Sequence, residues 1–135
     1  MEPKNLFEGR LVRLRALEPG DEEILFRHWK DTRITRLDSS IDWPVSSTHI
    51  REWIDNKTSK KDSENRHLVI ETLEGRHVGG VNTQLCDPRN GVFSIGIGIG
   101  DREEWGKGYA REAMLLMLRF IKNAISACMI SIRGR

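Results

Sequence analysis

The chain has 135 residues, of which 38% are hydrophobic and 31% charged, with a formal net charge of +2. That size predicts one globular domain, 1–135, burying roughly two-thirds of its unfolded surface without staples. A charge so near balance, on basic residues that are scattered rather than striped, argues against nucleic acid as a partner.

The opening residues, MEPKNLFEGR, hold no apolar signal region, and no apolar run approaches membrane-spanning length. Cys86 and Cys128 form neither a CxxC pair nor a disulfide framework, which fits a reducing compartment. A cytoplasmic protein with no membrane partner is the expectation. LVRLRAL alternates over 11–17, with Val12, Leu14 and Ala16 on one face and Arg13 and Arg15 on the other, as in a half-buried strand. Pro19 and the acids Asp21, Glu22 and Glu23 then open a helix whose Ile24, Leu25, His28 and Trp29 share a face. Residues 31–46 have little periodicity and read as loop, followed by a helix with Ile50, Trp53 and Ile54 in phase after capping serines.

After the polar TSKKDSEN, the stretches HLVIET and RHVGGVNTQL form two strands joined by LEGR, where Gly75 supplies a positive φ. CDPRNG is a second turn. A helix follows over about 108–123 with a stripe of Ala110, Ala113, Met114, Met117, Leu118 and Ile121, and SACMISIRG reads as a last strand. The order is β-α-α-β-β-β-α-β, an α/β (α+β) class with no internal repeat.

The strand VFSIGIGIG separates two faces. Phe93, Ile95, Ile97 and Ile99 lie on one, while Ser94, Gly96, Gly98 and Gly100 leave the other almost bare. Glycine inside a strand marks close approach by a ligand or by another part of the chain. WGKGYAREA then runs from glycines directly into a helix start, where free N–H groups and the dipole make an anion site. Lys107, Arg111 and Arg102 add positive charge, and Arg111 in a first helical turn opposes the dipole unless an anion is present. A ligand with an amide-bearing arm and a pyrophosphate would use both pieces. The loop lacks GxxxxGK[ST], and after Gly106 and Gly108 the third glycine of GxGxxG is replaced by Arg111.

These residues resemble the GNAT superfamily of acetyl-CoA-dependent N-acetyltransferases. IGIGIGDREEWGKGYAREAM is similar to the branch holding ribosomal-protein N-terminal and spermidine acetyltransferases. The family's Q/R-x-x-G-x-G/A motif aligns with Trp105, Gly106, Lys107, Gly108, Tyr109 and Ala110, Trp105 being that branch's variant. LFEGRLVRLRALEPGD and GRHVGGVNTQ extend the resemblance over about residues 6–121. It implies a mixed, mostly antiparallel sheet flanked by helices, with acetyl-CoA as co-substrate. Backbone at Ile97, Gly98 and Ile99 would bind the pantetheine arm, and N–H groups from Trp105 to Ala110 the pyrophosphate. A substrate amine would attack the thioester directly. The acceptor would be a polypeptide N-terminus, a polyamine or a small amine, met by Trp29, by Asp38, Asp42 and Trp43 in the long loop, and by the helix bearing Trp53.

Three departures qualify the resemblance. Ser94 stands where relatives carry a glutamate, so the base is unassigned. His28, His49 and Glu71 are candidates by residue type only, and a structural or exposed role is the plainer reading of each histidine. His67 and His77 fall in strands, and no histidine pair has metal-ligand spacing, so no metal is expected. Tyr109, the sole tyrosine, lies in the loop and cannot be the family's thiolate-protonating tyrosine. The family's C-terminal elements have no counterpart before Arg135, so an open sheet edge should pair with a second copy or promote aggregation. The alternative to an enzyme is an incomplete module that binds CoA or a partner protein without turnover.

Overall fold

Four antiparallel strands in chain order make the sheet: β1 (Val12–Ala16), β2 (Asn65–Thr72), β3 (His77–Asp87) and β4 (Val92–Ile99). The chain is seen in a computed structural model that describes residues 5–31, 44–59, 65–87 and 92–133. Register pairs Leu14 with Ile70, Leu68 with Val81, and Val81 with Ile97. These positions share one face, because side chains alternate along each strand. The helix α3 (Tyr109–Arg133) covers that face, packing Ala113, Leu116 and Met117 against Val12, Leu14, Ile70, Val78 and Val81, with Ile95, Ile97 and Ile99 at the margin. Two shorter helices, α1 (Glu22–Lys30) and α2 (Ser47–Ser59), cover the opposite face at its β1–β2 side. Leu25 of α1 and Ile50 and Ile54 of α2 close over Leu17 and Val69. Among the described residues, the β4 side of this face is covered only in part, by the His28 ring of α1 at Gly100. The expected antiparallel sheet flanked by helices is what forms, and the β2–β3 hairpin turns through Gly75 at φ +97°.

The C-terminal end differs from the sequence expectation. α3 does not stop near Asn123 before a last strand; it runs on to Arg133 as one helix. No glycine or proline interrupts the chain between Gly108 and Gly134, so propagation, which adds a hydrogen bond per residue, wins over the local β-branched bias of ISACMISI. The buried stripe of α3 also differs by a rotation: Leu116 is buried, whereas Leu118 is 49% exposed. Leu116 lies three residues from Ala113 and so on the same face; Leu118, five residues away, does not. The long loop holding Asp38, Asp42 and Trp43, and most of the CDPRNG turn, fall outside the described residues.

Charged side chains join the elements. Arg15 donates to Asp21 (2.8 Å) and to Glu71 (2.9 Å), which also accepts from Arg13 (2.6 Å), so a continuous polar layer links β1 and β2 to the start of α1. Across the sheet, the Glu112 carboxylate near the start of α3 accepts the backbone N–H groups of Arg10 (2.6 Å), Leu11 (2.7 Å) and Val12 (2.8 Å). Hydrogen bonds to a charged acceptor contribute about 1.5–3 kcal/mol each, less where water can replace them. Glu112→Ala is therefore expected to destabilise the fold by about 2 kcal/mol or more, read as a lower urea midpoint at unchanged slope. An unchanged midpoint would refute the clamp.

Candidate functional site

The direction of the β4 backbone follows from one hydrogen bond. Gly100 N–H donates to Val78 C=O at 2.9 Å, toward β3, so the Ile99 carbonyl of the same peptide points away. Alternation then turns the N–H and C=O groups of Ile97 and Ile99 to the outer side of β4, which is the sheet's edge among the described residues. The Ile99 carbonyl is already taken, accepting from the indole Nε1 of Trp105 at 3.0 Å. What remains toward the edge is the Ile99 N–H and both polar groups of Ile97. Gly98 lies between them and turns its own N–H and C=O inward.

The loop from Gly100 to Gly108 carries the chain from this edge to α3. A 3-10 turn spans Arg102–Glu104, and Gly106 (φ +79°) and Gly108 (φ +85°) both take the left-handed conformation. Their presence beside a strong helix is a backbone requirement, since any other residue there would be strained. Buried Glu104 staples the turn: its carboxylate accepts from Lys107 Nζ at 2.9 Å and from Arg76 of the β2–β3 hairpin. The Lys107 ammonium, with the Arg76 guanidinium behind it, holds the Glu104 carboxyl below the usual carboxylate range. Arg102 lies 5.5 Å over the Trp105 ring, a cation–π contact. The first bond of α3 is Glu112 N–H to Gly108 C=O at 3.1 Å. The N–H groups of Tyr109, Ala110 and Arg111 precede it and are the unsatisfied donors of a helix start.

The structure thus brings together Ile97, Gly98, Ile99, Arg102, Trp105, Gly106, Lys107, Gly108, Tyr109, Ala110 and Arg111. Lys107 is tied to Glu104, and the Tyr109 hydroxyl lies 3.5 Å from Arg76. Ser94 is exposed on the bare face of β4, and Trp29 packs on Trp53 with ring centroids 5.2 Å apart. Asp38, Asp42 and Trp43 lie outside the described residues. Of the candidate bases, Glu71 is held by two arginines at the other edge of the sheet, and His49 is exposed on α2. Arg76, Glu112 and Asn82 had no signal in the sequence, because the groups they meet are distant in the chain, and Glu104 has one partner nearby in Lys107 and one distant in Arg76. Among the described residues no group of three His, Cys, Asp or Glu is placed to hold a metal, and no helix is long and apolar enough to cross a membrane.

Three histidines lie on the α1–α2 face. His28 and His77 meet edge to face at 5.6 Å, and His67 meets Trp53 at 4.9 Å. Asp21 sits 3.5 Å from His77 Nδ1 and Asp101 lies 3.8 Å from His28 Nε2, both too long for hydrogen bonds. Burial lowers all three: His67 and His77 fall to about 4, and His28 also drops below its ordinary value. Burial opposes the charge of Asp21 too, but the Arg15 hydrogen bond and the Glu18 amide keep its carboxyl below the usual range. Between pH 6.5 and about 4 the unfolded chain binds protons that folded His67 and His77 refuse. Their contribution is therefore complete above pH 6.5 and declines on acidification toward 4. The urea midpoint should fall across that window and do so more shallowly in the double variant His67→Gln, His77→Gln. Parallel pH profiles would count against this assignment.

The profile of the family described as "Acetyltransferase (GNAT) domain" matches residues 11–133. The "SPbeta prophage-derived uncharacterized N-acetyltransferase YokL" of Bacillus subtilis is 33% identical over 112 residues, covering 83% of this chain and 60% of that protein. The chain thus spans less than two-thirds of that relative. The spermidine N-acetyltransferase of Vibrio cholerae, solved with CoA and spermine, superimposes with a TM-score of 0.73 at 22% identity, covering 85% of this chain and 66% of that one. The apo form of RimL, the ribosomal L7/L12 alpha-N-protein acetyltransferase, does so with a TM-score of 0.70 at 16% identity, covering 86% and 63%.

Proposed function

The chain belongs to the GNAT acetyltransferase domain family, and from that premise we propose that it transfers an acetyl group from acetyl-CoA to a primary amine. The observation that carries this reading is the junction of an outward-facing β4 backbone with a helix start through two left-handed glycines. The free N–H and C=O of Ile97 and the N–H of Ile99 suit the amides of a pantetheine arm. The donors of Tyr109, Ala110 and Arg111, the exposed loop backbone and the nearby Arg102 and Lys107 suit a pyrophosphate.

In the reaction the amine nitrogen forms a bond to the acetyl carbon, the carbon–sulfur bond breaks, and one amine proton balances the departing thiolate. The chain's part is to fix the arm along β4 and hold the phosphates at α3, so that orientation and preset dipoles supply the rate. Two of the structural neighbours support a finer acceptor class by analogy. One is solved with spermine and the other is named for a ribosomal protein's α-amine, so a polyamine or a protein N-terminus is the finer reading.

Ser94 in place of a carboxylate, and Glu71 locked between arginines, favour as second reading a module that binds CoA without turnover. Calorimetric titration with acetyl-CoA tests what both share. Micromolar binding is expected in the wild type, with about a tenfold or greater loss (about 1.4 kcal/mol per tenfold) in Gly108→Glu. That variant strains a φ of +85° and sets a carboxylate beside the phosphates. Equal affinity in a folded variant would rule out the loop as the anion site. Product formation from amines then separates enzyme from module.

A further inference from the structure

On the α1–α2 face, neighbouring side chains fill the glycine positions of the β3–β4 ribbon, except one. A Cβ at Gly96 would overlap Asn82 Oδ1, one at Gly100 would overlap the His28 ring, and one at Gly80 would lie 3.0 Å from His67 Nε2. At Gly98, paired with Gly80 across the ribbon, no described atom lies within 4 Å of that point. The result is a notch one side chain wide. Backbone forms its floor, Asn82 and His28 bound it along the strand, and His67 bounds it across the sheet. Trp53 stands 4.9 Å behind His67, and Trp29 continues the aromatic wall at 5.2 Å.

We propose that this notch seats the amino group of the acceptor, with the His67 imidazole taking a hydrogen bond from the amine N–H and the arm of the acceptor lying along Trp53 and Trp29. The proposal rests on the acetyl-transfer reading for what becomes of the amine, but its geometry is independent. The notch adjoins the segment of edge where Ile97 and Ile99 turn their polar groups outward, so an amine there is next to the arm proposed to carry the thioester. None of the side chains that bound it is a carboxylate. Asp101 lies beyond His28, pairing with Arg27 at 2.7 Å. With no carboxylate among the described side chains that bound it, the notch favours R–NH2 over R–NH3+, and only the neutral amine has the lone pair that attacks. Burial keeps His67 neutral at pH 7, with a value of about 4, so it offers an acceptor nitrogen and no positive charge to repel the incoming amine. The step balances as R–NH2 plus acetyl-S-CoA giving R–NH–acetyl plus HS-CoA.

Gly98 is well placed for a test. It has no positive φ and faces open space, so a β-branched side chain there suits the strand and fills only the notch. Its own N–H and C=O face β3, so the edge groups are left intact. The probe is n-hexylamine, titrated by tryptophan fluorescence. Measured on the CoA-free protein, Gly98→Val should raise the hexylamine Kd by about tenfold or more at an unchanged urea midpoint. His67→Phe should weaken hexylamine several-fold, and His67→Gln, which keeps an acceptor, should recover most of that loss. Wild-type affinity for hexylamine in Gly98→Val, or no saturable binding in the wild type, would overturn the assignment. Mass spectrometry for N-acetylhexylamine separates the two readings. Binding that is lost in Gly98→Val but yields no product in the wild type would support the notch and contradict acetyl transfer.

Discussion

Three consecutive backbone N–H groups at the entry to β1 converge on the carboxylate of Glu112, about a hundred residues away in sequence. The contact fixes the height and tilt of the α3 N-terminus over the sheet. The positive end of the helix dipole favours an acid in this first turn, so the clamp and the dipole reinforce one another. Gly9 makes room for it, since a Cβ there would come within 2.5 Å of the carboxylate. With α3 held at one end and β4 paired into the sheet at the other, the residues between have little freedom. Only a backbone that enters the left-handed region at Gly106 and Gly108 closes the gap.

Charge is distributed to match that frame. Under α1, arginines and acids neutralise one another in the Arg13–Glu71–Arg15–Asp21 layer, away from β4. At the loop, Glu104 gathers Arg76 and Lys107, while Arg102 and Arg111 project at the surface. The cations therefore collect where a helix start already favours an anion. The bare face of β4, by contrast, is bounded by an amide and by imidazoles held neutral. Both features lie at the C-terminal end of β4: the notch at Gly98 opens on one face, and the strand leads through Gly100 into the cation-bearing loop.

The parts of this arrangement legible in sequence are those governed by local periodicity and turn chemistry. The alternation of FSIGIGIG placed Ile97 and Ile99 on the core face and left Gly98 bare. LEGR announced a hairpin, and WGKGYAREA a glycine-rich helix start. The pairs that position the site were not legible, because each joins residues brought together only by strand register: Arg76 with Glu104, Glu112 with Arg10 to Val12, and His67 over Gly80. The strand expected over SACMISIRG, residues 126–134, is overturned for a different reason. Isoleucine, serine and cysteine there are compatible with either state locally, and the continuation of an established helix decided between them.

The surface proposed for an amide-bearing, pyrophosphate-containing ligand runs without a break from the outer backbone of β4 to the start of α3. Amide chemical shifts of 15N-labelled protein titrated with acetyl-CoA address this most directly. The largest changes are expected at Ile97, Ile99 and the Tyr109, Ala110 and Arg111 amides, saturating together, with the β1–β2 side unmoved. Saturable shifts confined to β1, β2 or α2, with Ile97 and the start of α3 silent, would contradict that surface.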